Sequence, residues 1–153
     1  MESPVTAREP EGIHNFRELA GYALRQGGVI RRAMVYRSGA LELMTPADQR
    51  WLDEDLRLRM ILALRHADEL ATRAPTPPRS TGPGPSPRRY LHYLEVGGDR
   101  LAAAFRLFAD EANYPVLVHC TAGKDRTGVL LGMVMDVLGA SDEDIAREYG
   151  LSD

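Results

Sequence analysis

The stretch Pro115 to Gly139, PVLVHCTAGKDRTGVLLGMVMDVLG, decides how this chain is read. Its apolar run Val116 to Val118 has strand character and leads straight into His119 and Cys120. An apolar helix is predicted from about Thr127 to Gly139, a glycine suited to a helix C-terminus. A compact loop lies between them. In a strand-loop-helix unit the N–H groups of the loop and of the first helical turn point into one concavity, where the helix dipole adds partial positive charge. The stretch therefore reads as an anion cradle. Cys120 stands at its lip, where dipole, amides and the nearby Arg126 all favour thiolate over thiol, so a lowered pKa and a nucleophile are expected. Arg126 is far enough along for the loop to fold back and aim a planar guanidinium at two oxygens of a bound tetrahedral group. Gly123 gives the backbone freedom to curl, Gly128 lets the helix approach closely, and Thr127 places a hydroxyl beside the sulfur. A lone cysteine after an apolar strand is ordinarily a buried small hydrophobe. That reading leaves His119, Gly123, Arg126, Thr127 and Gly128 unexplained together.

Outward from this unit the chain alternates strands and helices. Tyr22 to Leu24 and Val29 to Tyr36 read as short strands around the turn dipeptide Gly27-Gly28. Thr45-Pro46 offers an N-cap and a first-turn proline for a helix over Ala47 to Leu56. Leu58 to Leu64 is an apolar run of strand length with the pattern of a strand buried on both faces. Tyr90 to Val96 has strand character, and Asp99 to Ala112 predicts an amphipathic helix with Leu101, Phe105 and Phe108 on one side. The expected fold is α/β, a mainly parallel sheet flanked by helices. Residues 1–12 are expected to be flexible. Six of the ten prolines fall between Pro75 and Pro87, so residues 75–89 are read as a Pro-rich connector rather than a ligand for a partner domain.

With 153 residues, 44% hydrophobic and 27% charged, the chain is expected to form a single packed domain, 1–153. A net charge of −3 lacks the broad positive field of a nucleic-acid binder. The single cysteine excludes an intramolecular disulfide framework and any thiol relay within the chain. The start has no signal-peptide pattern, and Val129 to Leu138 contains Asp136 and falls far short of the roughly 20 residues of a membrane span, so a cytoplasmic location is expected. His14, His66 and His92 show no ligand spacing; neither metal nor other cofactor is expected. His119 is read as orienting the loop by hydrogen bonding.

His119-Cys120 through Arg126-Thr127-Gly128 resembles the H-C-x-x-G-x-x-R-[ST]-G signature of the cysteine-dependent protein tyrosine phosphatase superfamily. HCTAGKDRTG is similar to the loop of its bacterial tyrosine and dual-specificity branch. Asn15 to Tyr22 resembles that branch's N-F-R-D-L-G-G-Y, Tyr36 to Leu41 its Y-R-S-G-A-L, and Glu148 to Asp153 its D-Y-L-L-S-N. Two departures stand out. Where the branch reads close to V-I-D-L-R-S, this chain has Ile61 to His66 with Ala63 at the acidic position, and the branch's usual helical insertion before the helix at Asp99 is missing, which implies a more open site.

The resemblance implies metal-free hydrolysis of a phosphomonoester, with Cys120 forming a phosphocysteine, Arg126 and the loop amides holding the oxygens, and Thr127 stabilising the departing sulfur. The general acid is either Asp125, inside the motif, or Asp99, placed like the superfamily's mobile acid loop; the tight motif match favours Asp125. Thr121, Ala122, Gly123, Lys124 and Gly128 are the expected substrate-binding positions, with Lys124, the only lysine among 19 basic residues, reaching toward a second acidic group. Arg17 and Arg37 are each expected either to brace the loop or to bind substrate, with a surface ion pair an equal alternative. The expected partner is a phosphorylated protein or a small phosphorylated metabolite, nucleotide or phosphoinositide. A different class, a phosphate-recognition protein that turns over poorly, is motivated by Ala63 and the missing insertion. Sulfur transfer or arsenate reduction fits less well, because the loop ends in Arg-Thr-Gly and no second thiol is available.

Overall fold

The computed structural model describes residues 8–65 and 98–152. Four strands form one sheet in the order β1-β2-β4-β3: β1 is Arg17–Glu18, β2 Val35–Ser38, β3 Met60–Ala63 and β4 Val116–His119. β1 runs antiparallel to β2, while β2 and β3 both run parallel to β4. The helices are α1, Pro46–Arg50; α2, described over residues 98–107; α3, Asp125–Leu138; and α4, Asp142–Gly150. The mainly parallel α/β sheet expected from the sequence is what forms.

Alternation along the central strands explains the layering. Val116 and Val118 of β4 point to one face, where Val35, Leu101, Ala104, Leu130, Leu131 and Met135 close a core between the sheet and α2 and α3. Leu117 and Tyr36 point to the other, against Trp51, Leu52 and Leu56. With side chains alternating at period two, a strand buried on both faces reads as a largely apolar run. β4 is such a strand over Val116 to Val118, and it leads through His119 into Cys120. Burial also pushes the Tyr36 hydroxyl up to about 12, with Glu18 adding to the shift.

Thr45 caps α1 as expected: its hydroxyl accepts from Asp48 N at 3.1 Å and its own N–H donates to Asp48 Oδ2 at 3.1 Å. The same buried carboxylate accepts from Glu11 N at 2.9 Å and Gly12 N at 2.8 Å, which ties the end of the N-terminal segment to α1. Burial raises the Asp48 pKa, but these donors outweigh it and hold the carboxyl below its ordinary value.

Several boundaries differ from the sequence expectation. The run Val29 to Tyr36 is not one strand: Ala33 takes a left-handed φ of 58°, its N–H donates to the Glu18 carboxylate, and only Val35–Ser38 joins the sheet. The hairpin at Gly27-Gly28 shrinks to one bridge, Ala23 to Val29. The helix after Thr45 becomes a π-helical turn at Trp51–Asp55, with Leu56 N donating to Trp51 O at 3.0 Å. This wider turn keeps Trp51, Leu52 and Leu56 all inside the core. β3 is not buried on both faces: Met60 and Leu62 turn inward, while Ile61 and Ala63 are exposed. α2 ends before Ala112 because Asn113 Nδ2 takes the Leu107 carbonyl at 2.8 Å. α3 starts at Asp125, slightly earlier than expected, and ends as expected with Gly139 at φ 93°. The expected strand Tyr90 to Val96 and the Pro-rich connector lie outside the described residues, as do residues 1–7. Among the described residues no helix is long and apolar enough to cross a membrane.

Candidate active site

The loop between β4 and α3 owes its shape to where its carbonyls go. Thr121 O accepts from Ala40 N at 2.9 Å. Asn15 Nδ2 donates to both Ala122 O, at 3.2 Å, and Gly123 O, at 3.1 Å. Arg37 Nη2 donates to Gly123 O at 2.6 Å and Lys124 O at 3.4 Å. Four successive carbonyls are thus drawn toward donors behind the loop, on the N-terminal segment, β2 and the turn that follows β2. In a trans peptide the following N–H points opposite to the carbonyl. The amides of Ala122, Gly123, Lys124 and Asp125 are therefore turned to the other side, at the N-terminus of α3. This is the concavity expected of an anion cradle.

Gly123 makes the curl possible. Its φ is 70°, and a Cβ there would lie 2.3 Å from Ser38 O. Both the backbone angle and the close approach to β2 require glycine.

Behind the loop sits a buried ionic cluster. Arg37 is fully buried, and besides the loop carbonyls its Nη1 pairs with Glu148 of α4. Burial pulls the Arg37 guanidinium down from its ordinary value, while Glu148 and, more weakly, Cys120 support its charge. The other Glu148 oxygen accepts from Arg17 Nε at 2.8 Å. Arg17 also donates to Asn15 Oδ1 at 2.5 Å, Glu148 O at 2.9 Å and Ser152 Oγ at 2.8 Å. Each guanidinium nitrogen of Arg17 thus donates within the protein.

The remaining predicted positions gather at the loop. Cys120 is 2% exposed, directly after β4. Arg126 folds back as expected, Nη2 donating to Thr121 Oγ1 at 3.1 Å and Nη1 to Leu64 O at 3.1 Å, so it spans from the loop to the end of β3. Thr127 is fully buried, and among the described residues its hydroxyl has no hydrogen-bond partner. A wholly buried hydroxyl without a partner is costly. His119 Nδ1 lies 3.4 Å from Cys120 O, in line with its expected orienting role. Burial pushes its pKa down and Arg65 pushes the same way, against the Cys120 carbonyl. Asp125, on the first turn of α3, accepts from the Tyr149 hydroxyl at 2.9 Å. Lys124 Nζ stands 5.8 Å from the Tyr149 ring centroid. Gly128 faces that ring: a Cβ on it would lie 2.7 Å from Tyr149 Cδ2. Ala63 is in register with His119, so the acidic residue missing from the sequence pattern would have stood beside the cradle. Asp99 is exposed near the start of the described part of α2. No cluster of metal-binding side chains occurs among the described residues.

Sequence reasoning did not assign Asn15, Glu148 or Tyr149 to the site, and left Arg37 between two roles. All four fall in the three short segments that resemble family elements, which was the available signal. What could not be read was that these segments meet behind the loop.

Comparison with known proteins bears on the family and the fold. A family model described as the tyrosine phosphatase family matches residues 9–153. A Cupriavidus necator protein named as a tyrosine-protein phosphatase is 32% identical over 164 aligned residues, covering 90% of this chain and 59% of that one. An inositol diphosphatase of Arabidopsis thaliana is 37% identical over 51 residues, covering 33% of this chain and 25% of that one. The chain spans less than two thirds of the length of these relatives. Among solved structures, the core catalytic domain of the PP-IP phosphatase Siw14 from S. cerevisiae, in complex with citrate, shares the fold at a TM-score of 0.56 with 23% identity, covering 94% of this chain and 79% of that one. By the family match across nearly its whole length, the chain belongs to the tyrosine phosphatase family.

Proposed function

We propose that this protein hydrolyses phosphomonoesters through a phosphocysteine, as a phosphatase of tyrosine or dual-specificity type. One observation carries the reading: the carbonyls of residues 121–124 are all bound from behind, which turns the next amides toward the space beside Cys120. A phosphoryl group held there has its oxygens met by N–H dipoles and by Arg126, the preorganised arrangement that stabilises charge in a transition state.

The Cys120 thiolate attacks phosphorus with a sulfur electron pair, the bond to the ester oxygen breaks, and the departing oxygen takes a proton from Asp125. Water then attacks the phosphocysteine. It gives a proton to the Asp125 carboxylate, the S–P pair returns to Cys120, and inorganic phosphate leaves. Asp125 is the favoured acid because it stands on the first turn of α3, at the cradle. The buried Thr127 hydroxyl suits the role of donor to the sulfur as it departs.

Hydrolysis of 4-nitrophenyl phosphate tests the reading. Cys120→Ser is expected to abolish it and Arg126→Ala to lower kcat about a hundredfold or more, with a phosphorylated Cys120 peptide recovered after acid quench. Full activity in Cys120→Ser ends the proposal. Tight phosphate binding without turnover in the unaltered protein would point instead to a phosphate-recognition module.

A second reading, a small phosphorylated metabolite such as an inositol phosphate as substrate, is favoured by the inositol diphosphatase among the relatives and by Lys124 at the loop. A panel of phosphotyrosine peptides and inositol phosphates, ranked by kcat/KM, separates the two.

A further inference from the structure

Three strands end side by side at the nucleophile, since Ser38 of β2 and Ala63 of β3 are both in register with His119 of β4. β4 runs on into the loop, and the two strands that flank it are then joined to each other. The guanidinium of Arg65, just past β3, pairs with the carboxylate of Glu42, just past β2. The Arg65 side chain is 6% exposed and that of Glu42 39%. A guanidinium so far out of water keeps its place only while an anion offsets its lost hydration, and Glu42 supplies one. The pair completes a closed circuit of contacts. Leu64 O, on the peptide that joins Leu64 to Arg65, accepts from Arg126 Nη1 at 3.1 Å. Arg126 Nη2 donates to Thr121 Oγ1 at 3.1 Å. Thr121 O accepts from Ala40 N at 2.9 Å, and the chain leads from Ala40 through Leu41 back to Glu42.

We infer that Glu42 is a positioning residue for Arg126, acting through Arg65 and the Leu64 carbonyl. The Leu64 carbonyl and the Arg65 Cα share one planar peptide unit, so an Arg65 tied down by Glu42 fixes the direction in which that carbonyl points. On the other side Leu64 N donates to His119 O at 2.8 Å and pins the preceding unit to β4. Arg126 thus meets an acceptor held from both directions. Because the guanidinium is planar and its donors form a rigid fork, one nitrogen fixed at Leu64 O and another at Thr121 Oγ1 set its rotation over the loop. This inference rests on the reading that Arg126 holds phosphoryl oxygens.

The test compares inhibition by vanadate, which takes up the five-coordinate geometry of phosphoryl transfer, with inhibition by inorganic phosphate, which does not. For Glu42→Gln, kcat/KM for 4-nitrophenyl phosphate is expected to fall about tenfold, part of what misplacement by an ångström costs. The ratio of the phosphate to the vanadate inhibition constant should fall by a similar factor, and Glu42→Asp, which keeps the charge, should restore most of both. In an Arg126→Lys background Glu42→Gln should add nothing. The ratio is taken within one variant, so partial unfolding of that variant leaves it unaffected. An unchanged ratio accompanied only by a lower urea midpoint, or a loss that multiplies independently with Arg126→Lys, overturns the inference and leaves the ion pair as a contact of the fold alone. If Arg126→Lys itself leaves kcat/KM and vanadate inhibition unchanged, the reading of Arg126 fails first, and the role of Glu42 falls with it.

Discussion

Gly123 is the residue on which the cradle turns. Alanine there must adopt a φ near 70° and place a Cβ 2.3 Å from Ser38 O, so either the loop or the end of β2 has to move. Gly123→Ala is expected to lower kcat/KM about a hundredfold, as misplacement by about an ångström does, and to lower the unfolding midpoint. His119 makes a pH prediction. Burial, reinforced by Arg65, keeps it neutral in the folded protein below its ordinary pKa, near 6.5. As pH falls below that value the unfolded chain takes up a proton that the folded one refuses, so stability is full above the ordinary pKa and is lost as pH falls through the folded one. Urea unfolding at pH 7 and pH 5 should show the decline, and His119→Asn, which can still donate toward Cys120 O, should flatten it. Cys120, Arg126 and Thr127 were legible because their motif is contiguous. The duty of Arg17 was not, because its carboxylate partner lies 131 residues away, and no local pattern encodes such a meeting.

α4 shows how an element distant in sequence supports the candidate site. Through Glu148 it pairs with two arginines, and through Tyr149 it reaches Asp125. Glu148→Ala leaves Arg37 buried without its counter-ion, for which a cost of roughly 3–5 kcal/mol is expected, read as a lowered denaturant midpoint. Because Arg37 also holds Gly123 O and Lys124 O, affinity for vanadate should weaken in the folded fraction as well. The β4-loop-α3 unit could be read from its sequence because apolar run, glycines and helix end follow one another without interruption. β1, only two residues long, carries no periodicity and owes its existence to pairing with β2. The π-helical turn at Trp51–Asp55 was equally hidden, since its spacing is set by the core it fills rather than by helix propensity.

At the scale of the whole molecule, segments far apart in sequence converge on one loop: the N-terminal segment through Asn15, β2 through Arg37, and α4 through Glu148. The N-terminal segment is itself fastened by Asp48, whose carboxylate takes the Glu11 and Gly12 amides. Burial raises its pKa, yet these donors and Thr45 prevail, so the folded value lies below the ordinary one, near 3.9. The stabilisation is present above that value and is lost as pH falls through the folded pKa. Asp48→Asn is expected to cost about 2 kcal/mol at pH 7 and to show a shallower loss of stability between pH 5 and pH 3 than the unaltered protein, measured by urea unfolding. This convergence also bears on synthesis. A nascent chain exposes Cys120 well before Glu148 emerges from the ribosome, and until then Arg37 has no carboxylate to settle against and the loop carbonyls lack one of their anchors. The cradle therefore gains its full set of anchors only once α4 has docked behind the loop.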